Sequence, residues 1–145
     1  MALLLAACMA AAPADVDIYS TKDLKALTHS LADKKTPFVS QNLKRYAGHY
    51  TMMAYREATG SSELHEHEAD IFVIEEGAGT LVLGGKLVGA KTQKPGELRG
   101  TSIEGGERRT FEAGDIIHIP AGTPHQILID KGKPVSYFVV KVTGQ

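Results

Sequence analysis

Tryptophan is absent from this sequence, cysteine occurs once, and the aromatic residues together make up only 6% of it. With Cys8 alone, no internal disulfide can form and a cysteine-based zinc site is excluded. Any metal must therefore be held by histidine and carboxylate. Charge of one sign is equally scarce: 16 Lys and Arg against 17 Asp and Glu give a formal net charge of −1. No global field points to nucleic acid or to an acidic membrane surface. Nor does any apolar run approach the roughly 18 residues of a spanning helix.

What remains is a chain of ordinary globular composition, 43% hydrophobic over 145 residues, long enough for one domain with an appendage. Residues 1–14 read as the remnant of an export signal or a disordered tail. The stretch MALLLAACMAAAPAD has a short apolar run and an Ala-Pro-Ala before Asp15, the form of a signal cleavage site. Leu5-Ala6-Ala7-Cys8 also resembles a lipoprotein box, which makes Cys8 a candidate lipid anchor. The basic segment of such a signal is missing, because no Lys or Arg occurs before Lys22. The expectation is an exported, periplasmic protein, with a cytoplasmic one as the alternative.

Residues 15–36 read as an N-terminal helical arm. Ser20-Thr21-Lys22-Asp23 has the form of a capping box, and leucines at 24, 27 and 31 lay one apolar stripe along roughly three turns. Lys34 and Lys35 suit the negative end of that helix, and Thr36-Pro37 stop it. From 37 to 145 the pattern changes to short strands broken by Gly and Pro, with candidates at 50–57, 71–74, 80–83, 86–88, 109–111, 115–119, 126–129 and 135–142. Residues 89–106, polar and glycine-rich, read as a long loop or irregular hairpin. This spacing predicts an all-β sandwich or small antiparallel β-barrel with a short N-terminal helix.

HEHEAD, residues 65–70, carries the chemistry. If it is one strand, His65 and His67 share a face about 6–7 Å apart and two imidazoles there can hold one metal ion. Alone, such a pair is more often a pair of surface histidines. The second half of the chain adds Gly114, Pro120, Gly122 and His125 in the order G, five residues, P, one residue, G, two residues, H. With His65, His67, Asp70 and Gly77 before them, these residues resemble the two motifs of the cupin superfamily, over about residues 46–142.

The resemblance implies a cupin, or double-stranded β-helix jelly roll, with His65, His67, Asp70 and His125 as metal ligands. It further implies one divalent transition metal: Fe, Mn, Ni, Cu or Zn. Three departures stand out. Asp70 follows His67 after two residues, where the family usually places a glutamate three or four beyond, and strict alternation would turn Asp70 to the opposite face. Gly60 lies one residue closer to His65 than usual, and Ile129 replaces a common asparagine.

Other side chains are lesser candidates. His49, Tyr50, Met52, Met53, Tyr55 and Arg56 could line the barrel mouth, His118 reads as a wall or interface position, and His29 as a surface residue. Arg99, Arg108 and Arg109 are candidates for binding an anion, or simply solvated charges. The functional expectation is a metalloenzyme of Fe- or Mn-dependent oxygenase or lyase type acting on a small molecule. The alternative is a non-catalytic module that binds a small ligand or the metal. Strand-edge pairing into a homodimer fits either.

Overall fold

The computed structural model describes residues 16–145, so the export-signal expectation, Cys8 included, lies outside the described residues. In chain order the elements are α1 (Thr21–Ala32), β1 (Phe38–Arg45), β2 (His49–Arg56), β3 (Ser62–His65), β4 (Glu68–Glu76), β5 (Ala78–Leu83) and β6 (Lys86–Val88). They continue with β7 (Lys91–Lys94), β8 (Glu97–Gly100), β9 (Ser102–Glu104), β10 (Glu107–Glu112), β11 (Ile116–Ile119), β12 (His125–Leu128) and β13 (Val135–Thr143). The all-β expectation holds, with one short helix.

Two antiparallel sheets face each other. One runs β1-β2-β13-β4-β11, the other β10-β5-β12-β3-β8-β7, and β6 with β9 forms a separate ribbon. Each long strand serves two layers by alternation. On β2, Met53 and Tyr55 point outward to meet Leu31 of α1, whereas Ala54 packs inward with Phe72, Ile74 and Tyr137. The helix begins where the capping box predicts: Ser20 Oγ accepts from the Asp23 N–H at 3.2 Å. Its leucine stripe closes the outer face of the first sheet.

Residues 89–106, expected as a long loop or irregular hairpin, take the second form. Residues 91–100 form the β7–β8 hairpin, and 102–104 form β9. Pairing overrode a sequence too polar to announce itself: all four residues of β7, KTQK, are exposed.

Gly77 carries the chain from β4 of one sheet into β5 of the other. Its φ is +86°, and a Cβ there would collide with the backbone at Pro134 O and Val135 Cα. Gly84 also has positive φ (+70°) but open space around it. Gly84→Ala should therefore cost only the strain of a left-handed alanine, about 1 kcal/mol, and Gly77→Ala more than about 2 kcal/mol. Urea denaturation of the two variants checks the difference; equal losses would mean that the Pro134 contact relaxes freely.

Candidate metal centre

HEHEAD turns out to be a corner rather than a strand. β3 ends at His65, Glu66 and His67 bend, and β4 begins at Glu68 in the opposite sheet. Two backbone hydrogen bonds hold the corner: Glu66 N–H to Gly96 O at 2.8 Å and Gln145 N–H to His67 O at 3.2 Å. His67 at the bend is exposed and stands apart from the other three residues of the sequence-derived ligand set.

Alternation on β3 turns Glu63 and His65 to the same, inward face. The β3–β12 register sets His125 directly opposite Glu63. The Pro120-Ala121-Gly122 turn that leads to His125 is anchored on the same strand, with Gly122 N–H bonded to His65 O at 2.7 Å. Asp70 enters from β4, where its register partner on β13 is Lys141. The bend supplies the change of direction that Asp70 needs to face inward.

The structure thus brings His65, Asp70 and His125 together and adds Glu63. Single ligand atoms of Glu63, His65 and His125 all lie within 4.8 Å of one another. His65 Nε2 stands 3.4 Å from Glu63 Oε2 and 3.5 Å from Asp70 Oδ2; His125 Nε2 stands 3.9 Å and 3.5 Å from the same atoms. Two ligands each about 2.0–2.2 Å from one ion, at tetrahedral or octahedral angles, are roughly 3–3.5 Å apart. His65 Nε2 is buried and has no hydrogen-bond partner. The His125 Nδ1 lies 3.0 Å from Thr123 O; donating there leaves its Nε2 lone pair aimed at the cluster. Burial lowers the His125 pKa, which favours the neutral imidazole a metal requires. These residues fit a metal ion.

Each carboxylate is divided between a cation and the imidazoles. Glu63 Oε1 takes Arg99 Nη1, with Arg56 Nη2 at 3.7 Å, and its Oε2 faces the histidines. Asp70 Oδ1 takes Lys141 Nζ at 2.6 Å, and its Oδ2 faces them likewise. Burial pushes the Glu63 carboxyl up, but His65, Arg99, His125 and Arg56 together outweigh it and hold it at about 2. A carboxyl lowered from 4.5 stabilises the fold above pH 4.5 and loses that contribution as the pH falls toward 2. The stability difference between wild type and Glu63→Gln should shrink by roughly 3 kcal/mol between pH 5 and 2. Urea titrations across that range check it; a difference independent of pH would refute the assignment.

A cavity of about 260 Å³ opens above the cluster, lined by both charged and apolar side chains. Tyr50, Met52 and Arg56 line it; Met53 and Tyr55 face the helix, and His49 stacks on Tyr46 at a ring distance of 4.4 Å. Tyr50 donates to Glu68 Oε2 at 3.2 Å, and burial, then Glu68, raises its phenol well above the usual value, so it stays protonated at neutral pH. His118 and His29 are exposed. Arg109 pairs with exposed Glu107 at 2.9 Å.

Glu63 is the residue sequence reasoning missed, and a signal for it existed. With Glu63 and His65 in place of the motif's two histidines, four residues separate His65 from Asp70. That is the spacing the family favours, and six more lead to Gly77.

A family profile, Cupin domain, matches residues 95–141, which include His125. No curated protein matches the chain. Among solved structures it is similar to a conserved protein with a double-stranded β-helix domain from Klebsiella pneumoniae: 14% identity over 92% of this chain and 90% of that one, TM-score 0.62. A predicted oxalate decarboxylase from Thermotoga maritima gives 15% identity, 73% and 80% coverage and TM-score 0.52. DMSP lyase from Ruegeria pomeroyi gives 18% identity and TM-score 0.52, with 77% of this chain covering 49% of that one. At such identities the solved structures speak for the fold alone, and it is the fold that the two facing sheets display. With the profile match across the second motif, this makes the chain similar to the cupins, in fold over the two facing sheets and in sequence over residues 95–141.

Proposed function

We propose that this chain is a metal-dependent cupin enzyme, acting on a small molecule by oxygenase or lyase type chemistry with Fe(II) or Mn(II). The observation that carries the reading is His65 Nε2, buried without a hydrogen-bond partner while two carboxylate oxygens stand 3.4 and 3.5 Å away. Packing alone gives no reason to gather two imidazoles and two carboxylates so closely, and an orphaned ring nitrogen in the interior is costly. Two histidines with one carboxylate, open on one side, are the set that suits non-haem Fe(II). When bound, such an ion supplies Lewis acidity and open coordination positions.

His65, His125 and Glu63 would hold the ion, with Asp70 beside them. Arg99 and Lys141 hold the two carboxylates in orientation. The Tyr50–Glu68 pair is placed to hold or move a proton at the Tyr50 hydroxyl, on the cavity wall. The apolar residues Phe72 and Val139 exclude water from the floor. Pairing of copies along β11, where Ile116 is 71% exposed, and export, supported by the Ala-rich N-terminus, complete the reading.

The test is elemental analysis of protein purified without an affinity metal or chelator, followed by oxygen-uptake and elimination assays on the loaded protein. About one iron or manganese per chain with turnover is the expected result. Near-zero metal that added divalent ions cannot restore would overturn the reading. Stoichiometric metal with no turnover on any small acid, alcohol or sugar would reduce the protein to a binding module.

A further inference from the structure

Four of the cations around the cavity are accounted for. Arg99 lies between Glu63 and Glu97, Lys94 pairs with Glu97 at 3.0 Å, Lys141 with Asp70 at 2.6 Å, and Arg45 stacks on the Tyr50 ring at 4.4 Å. Arg56 differs. It is 4% exposed, and among the described residues its one ion pair is a long 3.7 Å contact to Glu63 Oε1, an oxygen that Arg99 already engages more closely. Its one hydrogen bond among the described residues runs from Nε to the Tyr137 hydroxyl at 3.4 Å, and the Phe38 ring stacks at 4.4 Å. A guanidinium has five N–H donors in a planar fork. Among the described residues these are its recorded partners, which leaves donors of the fork for a ligand in the cavity that Arg56 lines.

The backbone leaves room for the guanidinium. A side chain at Gly60 would collide with Arg56 Nη1, so the glycine makes room for it. Five cationic and four acidic side chains line the cavity, an excess of positive charge before any metal is counted. Beside Glu63 and the polar Ser40 and Asn42, the same cavity is lined by Phe38, Met52, Ala54 and Tyr137.

We infer that the cavity takes a small organic carboxylate, whose carboxyl group docks on Arg56 and the Tyr137 hydroxyl and whose apolar body lies against Phe38 and Met52. Only the far end of that ligand rests on the metal reading, since Glu63 bridges Arg56 to the histidines and so directs the adjoining atoms of the ligand toward the ion. A planar guanidinium fork recognises a carboxylate by two parallel N–H···O bonds. A neutral isostere leaves the same donors unsatisfied, so discrimination against it is large.

The experiment is calorimetric titration of the wild-type protein with benzoate, benzamide, propionate, propionamide and inorganic phosphate, with metal content measured on the same samples. Benzoate and propionate should bind at least about tenfold more tightly than their amides. Arg56→Gln should lose that preference, and Arg56→Lys should recover only part of it, because the charge returns without the fork. The amide comparison needs no variant, so a poorly folded Arg56→Gln does not rescue the inference. Equal binding of acid and amide overturns it, as does tighter binding of phosphate than of either carboxylate. Carboxylate preference in protein that retains no metal supports the anion site while the metal reading falls. Full metal without that preference does the reverse.

Discussion

Replacing His125 with alanine should lower the bound metal from about one ion per chain to under about a tenth, and His65→Ala should do the same, because each removes one of only two imidazoles from the set. His67→Ala should leave the metal content unchanged. The contrast follows from geometry. His65 and His125 present Nε2 atoms to the same two carboxylate oxygens at 3.4–3.9 Å, whereas His67 is exposed at the bend between the sheets. Metal analysis and far-ultraviolet circular dichroism on the three variants decide it. Loss of metal in His67→Ala with a native spectrum would mean that the corner closes inward when the ion binds. Retention in both His65→Ala and His125→Ala would remove the centre altogether.

The site was legible in the sequence to the extent that it depends on local order. His125 follows a turn whose Pro120 and Gly122 announce themselves, and the helix arm begins at the Ser20 cap that its sequence marks. Alternation on β2 was legible but the inward face was not: residues of both parities stood as candidates, and only the sheet packing separates Tyr50, Met52 and Arg56 from Met53 and Tyr55. Nor was the frame of the first motif. A period of two says which residues share a face while the strand lasts, but not where it ends. Nothing in Glu66-His67 signals a bend: neither Gly nor Pro is present, and the hydrogen bonds that fix it come from Gly96 and Gln145, remote in sequence. Read as one strand, HEHEAD pairs His65 with His67; with the strand ending at His65, the partner becomes Glu63.

The charged wall was illegible for a related reason. Arg99 sits on β8, within a stretch too polar to show alternation, and its inward direction is set by pairing with β3, where Arg99 lies opposite Glu63. Polar strands are placed by their neighbours. The same holds for Lys141: only the β13–β4 register reveals that its partner is Asp70.

That pair should be the costliest single interaction to break in the metal-free protein. Asp70 is 1% exposed and Lys141 8%, with Nζ 2.6 Å from Oδ1. Lys141→Met keeps most of the length and packing of the side chain but leaves a buried carboxylate without its cation, at a cost of about 3–5 kcal/mol. Restoring neutrality in Lys141→Met/Asp70→Asn should recover at least about 2 kcal/mol of that loss, the coupling expected of residues in direct contact. The metal sharpens the test. An ion held beside Asp70 Oδ2 compensates the same carboxylate, so the cost of Lys141→Met should be smaller in loaded than in chelator-treated protein. Urea denaturation of wild type and both variants, with and without metal, gives all the differences needed. A loss below about 1 kcal/mol in the metal-free single variant would mean that Asp70 is sustained by something other than Lys141. A loss independent of metal would mean that Asp70 does not face the ion, leaving Glu63, His65 and His125 as the complete set.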